Sequence, residues 1–372
     1  MKFNLNRKML SDAINNIIKA VSNKSTIPAL EGILISTKEN KIELTAYDLE
    51  LGMKTEIDAN ILREGKVVLS AKIFSEIVRK APAEIIEFDI NEKNSVHIKS
   101  GNSEFNIIGI ESNEFPDLPS VPEEDFITIN GDLLKGMIRQ TIFAIADGGD
   151  KPIHQGSLFN IEDGIFDLVS VDGFRLAIRR EKIDIKKNAN FVVPGKALTE
   201  VLKLASENDI NIYCGRRHIM FLIDNYTIIS SILEGEFIDY KNTIPTNCQY
   251  NVKIKTRDLM DSTDRVSLLV SEKIKSPIRC KFFCDNIDLS CTTAIGRSKD
   301  LCPCEMTGGE MIEMGFNNRY LLDALKYSEC DEVKIHISGS LNPMLITPLN
   351  SDDFMFLVLP VRIKAENNEN NN

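Results

Sequence analysis

The sequence predicts an α+β protein of three similar domains, each with two short helices packed on antiparallel strands. Three observations predict it. Apolar helix positions recur at a near-constant interval: Leu10, Leu134 and Leu259 lie 124 and 125 residues apart. A strand-to-helix segment recurs in the same order, as VVLSAKIFSEIV (67–78), FVVPGKALTEVL (191–202) and MGFNNRYLLDAL (314–325). The 372 residues suffice for two or three domains, each burying its own core. Three like domains in one chain point to a curved or closed assembly more than to a single catalytic cleft.

The first domain, 1–121, opens with an alternating strand, Lys2–Leu5. Leu10, Ala13, Ile14, Ile17, Ile18 and Val21 then fall at helical spacing. Strands follow near Gly32–Ser36, Lys41–Ala46 and Val67–Leu69. Ser70 is placed to cap a helix over Ala71–Lys80, with Ile73, Phe74, Ile77 and Val78 as its buried face. Ile85–Ile90, Ser95–Lys99 and Glu104–Ile110 read as short strands, before a linker rich in Pro and acid.

The second domain, 122–246, repeats this order. Phe126–Ile129 is its first strand, and Leu133, Leu134, Met137 and Ile138 form the stripe of its first helix. Leu158–Asn160 and Phe166–Ser170 are strands, and Leu198, Val201 and Leu202 face inward from the second helix. The third domain, 247–363, begins with the strand Tyr250–Ile254. Its first helix is less regular (Leu259, Val266, Leu269, Val270). Its second helix, Asn318–Tyr327, is clear, and Phe354–Leu359 is the last strand. The tail, 364–372, is mostly Asn and Glu and reads as disordered.

Two further landmarks keep register with the repeat. TAYDLEL (45–51) matches SVDGFRL (170–176), with a degenerate third copy around Thr293-Ala294-Ile295-Gly296. The endings EFPDLP (114–119) and EFIDYKNTIP (236–245) are alike.

Composition narrows the function. Apolar residues make up 43% and charged residues 27%, the balance of a soluble globular protein. No apolar run approaches the roughly 20 residues of a membrane span. Met1 leads directly into patterned structure, so no signal peptide is read and a cytoplasmic location is expected. The eight cysteines are then expected as free thiols. Cys214, Cys280, Cys284 and Cys291 sit in apolar or strand-like segments, and Cys302 and Cys304 on an expected loop. Zinc would call for paired C-x-x-C spacings or nearby histidines, and neither occurs. The net charge of −11 argues against a protein that grips nucleic acid by bulk electrostatics.

Catalytic signatures are missing. The chain has no phosphate-binding loop, dinucleotide fingerprint, H-E-x-x-H or G-x-S-x-G motif. Asp48, Glu50 and Asp172 on loops after strands could hold a metal for hydrolysis. The favoured reading makes them turn carboxylates that accept backbone N–H groups. His154 reads as a surface or packing residue, and Gly148-Gly149 as a loop tip.

The basic residues are more suggestive. Arg7, Lys8 and Lys19 fall on or beside the first helix, and Lys135 and Arg139 on its second-domain counterpart. Lys72, Arg79 and Lys80, then Lys196 and Lys203, then Arg319 and Lys326, decorate the second helices. Such charges usually only solvate a helix face. Their recurrence in an acidic chain instead fits a mild positive surface facing a phosphate backbone. Without interleaved aromatics or a base-reading motif, it would hold duplex loosely and without sequence preference. A scaffold that binds only proteins remains the other non-enzymatic reading.

Together MKF at the start, STIPALEGILIS (25–36), TAYDLEL (45–51), SVDGFRLA (170–177), EGEFIDYKNTIP (234–245) and LPVRI (359–363) resemble the bacterial DNA polymerase III β subunits, the sliding clamps, across about residues 1–363. The resemblance implies three sliding-clamp (DNA clamp) domains that form half of a closed ring. It implies a head-to-tail homodimer around double-stranded DNA, with helices lining the hole. It implies a non-catalytic processivity factor without cofactor or metal, loaded by an ATPase clamp loader.

It also implies a pocket for short peptides from the polymerase III alpha subunit, the clamp loader delta subunit and other partners. By motif the pocket comprises His154, Val171, Gly173, Phe174, Arg175, Leu176, Ile238, Asn242, Thr243, Pro343, Leu357, Leu359, Pro360, Val361 and Arg362. His154 stands where Leu is usual, Ile238 where Pro is common and Asn242 where Arg is often found. The ring contact implied is Phe105 and Ile107 of one chain against Leu268 and Leu269 of the other. Lys24, and the segment at Lys151, match positions that touch DNA in the family. The tail beyond Ile363, where family chains commonly end, emerges beside the pocket and is read as free in solvent.

Overall fold

The computed structural model describes residues 1–122, 126–184, 187–271 and 276–363. The expected tail and the acidic end of the first linker lie outside the described residues. The three repeats follow one order of elements.

The first comprises β1 (Lys2–Asn6), α1 (Arg7–Ile17), β2 (Gly32–Lys38), β3 (Lys41–Tyr47), β4 (Leu51–Asp58), β5 (Asn60–Arg63) and β6 (Lys66–Ser70). It continues with α2 (Ala71–Lys80), β7 (Ile85–Ile90), β8 (Ser95–Ser100) and β9 (Ser103–Ile108). The second comprises β10 (Phe126–Asn130), α3 (Gly131–Thr141), β11 (Gly156–Glu162), β12 (Ile165–Val171), β13 (Arg175–Lys182) and β14 (Ala189–Pro194). Then come α4 (Gly195–Leu204), β15 (Asp209–Cys214), β16 (His218–Ile223) and β17 (Tyr226–Ser231). The third comprises β18 (Tyr250–Lys255), α5 (Thr256–Val266), β19 (Ile278–Phe283), β20 (Asn286–Thr293), β21 (Gly296–Pro303), β22 (Glu305–Thr307) and β23 (Met311–Phe316). It ends with α6 (Asn318–Ser328), β24 (Glu332–Ile337), β25 (Met344–Pro348) and β26 (Phe354–Val358).

Local chemistry explains the strand-to-helix corners. Asn6 Oδ1 accepts the Lys8 and Met9 N–H groups at 2.9 and 3.3 Å. Asn130 Oδ1 accepts from Leu133 N at 3.2 Å, and Asn317 Oδ1 from Arg319 N at 3.0 Å. Each uses a short amide to satisfy a helix N–H that has no carbonyl partner. Gly131 is required at its corner, since a Cβ there would lie 2.2 Å from the Ser206 carbonyl oxygen.

The chain forms two compact units, one of residues 1–136 and 193–232, the other of 137–192 and 233 onward. In the first unit β5-β1-β7-β8-β9 form one sheet and β10-β15-β16-β17-β4-β3-β2-β6 a second. In the second unit β21-β20-β19-β23 form one sheet. The other runs β14-β11-β12-β13-β26-β25-β24-β18-β22. The two longest sheets each join strands of successive repeats, through β17 on β4 and β13 on β26, both antiparallel.

Several expectations are corrected. Ser70 stands at the α2 N-cap but its side chain makes no cap bond. Phe74, Ile77 and Val78 are buried, whereas Ile73 is 49% exposed. Cys302 lies inside β21 rather than on a loop and is buried. Burial pushes the thiols of Cys280 and Cys304 up to about 12 and that of Cys302 to about 11, so all three stay protonated at neutral pH. The third expected strand edge, Glu104–Ile110, runs from Ser103 to Ile108. Strands β4, β13 and β21 follow the loop signatures. The loop alignment also shifts by one residue: Asp48 corresponds to Asp172, and each sits in a four-residue loop between paired strands. Among the described residues no helix is long and apolar enough to cross a membrane.

Candidate peptide pocket, basic helices and open strand edges

The pocket begins with the β12–β13 loop. Asp172 Oδ1 accepts the Phe174 and Arg175 N–H groups at 2.9 and 3.0 Å, and its Oδ2 accepts Arg175 Nε at 2.9 Å. Gly173 adopts φ +88° in the turn, a conformation that suits glycine. Asp48 makes the matching turn, accepting from Glu50 N and Leu51 N at 3.0 and 2.8 Å, and it pairs with Lys196. Both carboxylates are thus committed to turns and cations.

Arg175 is almost fully buried. It bridges Asp172 and Asp323, and its guanidinium carbon lies 4.6 Å from the Tyr320 ring centre and 5.3 Å from that of Phe143. Phe174 stacks on Tyr320 with ring centres 5.9 Å apart while leaving 58% of its surface exposed. Leu359 N donates to the Phe174 carbonyl at 2.9 Å, which fastens the end of β26 to the loop.

These contacts shape a cavity of about 150 Å³. It is walled by Val171, Gly173, Phe174, Arg175, Leu176, Ile238, Thr243, Pro343, Leu357 and Leu359. Ten of the fifteen residues expected from the motifs therefore converge on one mostly apolar hollow. His154, Asn242, Pro360, Val361 and Arg362 do not line it. Val361 borders a different cavity with Pro277 and Arg319. Asn242 hydrogen-bonds Asp239. His154 is buried and packs edge-on against Phe237, ring centres 5.7 Å apart. Its Nε2 has no partner, and burial, with help from Lys151, lowers its pKa against the pull of Asp172. Phe237 borders a further cavity of about 550 Å³, which also touches Ile238.

Sequence reasoning missed Tyr320, Asp323 and Phe143, which hold Arg175 in place. No local signal marks them, because they lie far away along the chain. The first repeat differs at the corresponding place. Leu176 corresponds to Gly52, and a Cβ on Gly52 would lie 2.5 Å from Leu118 Cδ2. The chain's own Leu118, from the EFPDLP ending, takes up that space.

The basic residues divide into two groups. Lys19, Lys196 and Lys203 gather around the buried Glu200 carboxyl, whose pKa burial raises against their opposing pull. Lys203 also donates to the Asn15 carbonyl at 3.0 Å, and Lys135 to that of Ala205 at 3.0 Å. Arg139 pairs with Glu329 at 2.6 Å, and Arg79 and Lys80 with Glu76 at 2.7 and 3.2 Å. Arg7, Lys8, Lys24 and Lys151 make no ion pair among the described residues. Of these, Lys8, Lys24 and Lys151 are exposed. Seven of these eleven cations are thus already engaged, so the positive field of these helices is weaker than the count of cations suggests.

β9 in the first unit and β21 in the second are each an end strand of their sheet, as are β5, β6, β10, β14, β22 and β23. Phe105 and Ile107 are half-buried on β9. Leu268 is 81% exposed in the 3-10 turn Ser267–Leu269 that packs beside β21, and Leu269 belongs to the same turn.

Comparison with known proteins gives one answer along the whole chain. Residues 1–119, 128–239 and 241–362 match in turn the N-terminal, central and C-terminal domains of the DNA polymerase III beta subunit. The beta sliding clamp of Bacillus subtilis is 32% identical, over 97% of this chain and 100% of its own. That of Staphylococcus aureus is 32% identical over 97% and 99%. Among solved structures, the Bacillus subtilis sliding clamp superposes with a TM-score of 0.94 at 31% identity, covering 98% of this chain and 100% of its own. A DNA polymerase III beta subunit from Eubacterium rectale gives 0.92 at 34% identity, over 97% and 99%. The chain belongs to the family of bacterial DNA polymerase III beta subunits, the sliding clamps.

Proposed function

We propose that two copies of this chain close head to tail into a ring that encircles duplex DNA without reading its sequence and tethers the replicative polymerase. One observation carries the closure. Both joints between successive repeats are antiparallel edge pairings of the same kind, and the counterparts of the joint strands in the outer repeats, β9 (matching β17) and β21 (matching β4 and β13), are end strands that make no such joint within the chain. Exposed edges of this kind readily pair with another chain. Phe105 and Ile107 then meet Leu268 and Leu269 at the closure.

The domains divide as 1–121, 122–246 and 247–363. The DNA-facing set is Arg7, Lys8, Lys19, Lys24, Arg79, Lys80, Lys135, Arg139, Lys151, Lys196 and Lys203, with the unpaired members carrying most of the field. Topology retains the protein, so a weak field suffices. The cavity at Phe174 and Leu359 receives an apolar side chain from a partner peptide, as from the polymerase III alpha subunit or the clamp loader delta subunit. The protein acts in the cytoplasm and catalyses nothing itself.

The test is retention. Clamp loader and ATP place the protein on nicked circular plasmid, which is then linearised. Loss of protein from the linear DNA is expected, and equal retention before and after linearisation would overturn topological tethering.

A further inference from the structure

We propose that the β9 edge of one chain pairs with the β21 edge of a second copy in a single register, with Glu104 opposite Lys299 and Ile108 opposite Ile295, and that this charge pair selects which chains close together. The proposal rests on the head-to-tail reading above and gives it an address.

The register follows from the two joints already made within the chain. At the first, Thr227 lies opposite Lys54 and Ile229 opposite Gly52. At the second, Leu357 lies opposite Leu176. Gly52 and Leu176 hold the same place, each closing a four-residue loop against Tyr47 or Val171. Arg297 pairs with Thr292 around the same four residues, of which Thr293 and Gly296 also pair, as Asp48 N donates to the Leu51 carbonyl; Thr293 Oγ1 accepts Ile295 N as Asp48 accepts Glu50 N. Lys299 is therefore the counterpart of Lys54. On the other strand, Ser103 and Tyr226 each close a two-residue turn, against Ser100 and Ile223. Glu104 is therefore the counterpart of Thr227. Repeating the joint between copies places Glu104 opposite Lys299, Asn106 opposite Arg297 and Ile108 opposite Ile295.

Three features agree with this register. Glu104 and Ile108 are exposed on one face of β9, as Ile295 and Lys299 are beside and along β21. A slip of one residue would set them against the half-buried face instead. Ile108 and Ile295, 84% and 65% exposed, would cover one another. On the inner face Ile107 falls opposite Gly296, whose missing side chain leaves the way open to Leu269 Cδ1, 3.7 Å from the place of a Cβ. The charges also alternate across the closure. Lys99 reaches Glu104 at 3.9 Å and Lys299 reaches Asp288 at 2.8 Å, so joined edges set Lys99, Glu104, Lys299 and Asp288 in a row of alternating sign.

The test uses the full chain and measures the dimer dissociation constant by sedimentation on dilution. Glu104→Lys and Lys299→Glu each put like charges at both closures, and each is expected to weaken the dimer roughly tenfold. An equimolar mixture of the two restores opposite charges at both closures, so it should form a heterodimer with near wild-type affinity. Mixing Glu104→Lys with Arg297→Glu should give no such rescue. A wild-type dimer with unweakened single variants, or with weakened variants that do not rescue each other, overturns the register and leaves the ring standing. A wild-type protein that stays monomeric at every concentration overturns the ring and the register together.

Discussion

Arg175→Met should loosen the peptide pocket from within. The wild-type guanidinium is 6% exposed and lies between Asp172 and Asp323, whose side chains are 11% and 24% exposed. Methionine has similar length but leaves both carboxylates without their shared cation. Breaking a buried ion pair in this way costs about 3–5 kcal/mol. Arg319, 3.9 Å from Asp323, and the partial exposure of Asp323 place the effect near the lower end, about 3 kcal/mol. Each 1.4 kcal/mol or so is a factor of ten, so the loop should open roughly a hundredfold more often. The amide of Leu359, bonded to the Phe174 carbonyl, reports that opening directly. Its hydrogen exchange, read by mass spectrometry on the segment around β26, should speed up by about two powers of ten. Adding Asp172→Asn and Asp323→Asn should recover most of the protection, because no unpaired charge then remains. Exchange at Leu359 within about threefold of wild type in Arg175→Met would refute the reasoning.

Two further outcomes are expected. Phe174→Ala with Leu359→Asp should weaken binding of a polymerase-derived peptide by about a hundredfold in a titration, while the melting temperature moves by only a few degrees, since both side chains are partly exposed; a dissociation constant within fivefold of wild type would remove the pocket assignment. Leu176→Asp is unsuited to this purpose, because Leu176 is 2% exposed and the variant would place a carboxylate in the core. For His154, the folded pKa lies below the ordinary imidazole value of about 6.5. The unfolded chain therefore binds a proton that the folded chain resists, so stability from this group is present above about pH 6.5 and is lost as pH falls toward the folded pKa. His154→Leu should lose less melting temperature between pH 7.5 and 5.5 than wild type, and an equal loss would refute this.

The helices were legible in the sequence because their signal is local. Phe74, Ile77 and Val78, or Leu321 and Leu325, reveal a buried face through spacing alone, and the same spacing three times over reveals the repeat. Ile73 shows the limit of that argument: it lies beside the stripe by sequence but points outward in the fold. The strands that join successive repeats were less legible. β4 and β13 carry Lys54, Glu56, Arg179 and Arg180 among their apolar residues, and these charges pair sideways with Glu43, Lys41, Glu181 and Asp167. In β13 the adjacent Arg179 and Arg180 interrupt the alternation that marks a strand, whereas β4 keeps it at Met53, Thr55 and Ile57.

The expected pocket residues came from family motifs, and ten of the fifteen line one cavity. The five that do not include His154, which turns toward Phe237. By itself the sequence determined the threefold repeat, through landmarks 124 and 125 residues apart, and most of the helix faces and the turn roles of Asp48 and Asp172, which depend on neighbours within one turn of chain. Only the tertiary structure decided which cations stay unpaired, that Leu118 fills the first joint while the second stays hollow, and that Arg175 needs Asp323 and Tyr320. Those outcomes depend on residues brought together from distant parts of the chain, where burial and pairing have no local sequence period to announce them.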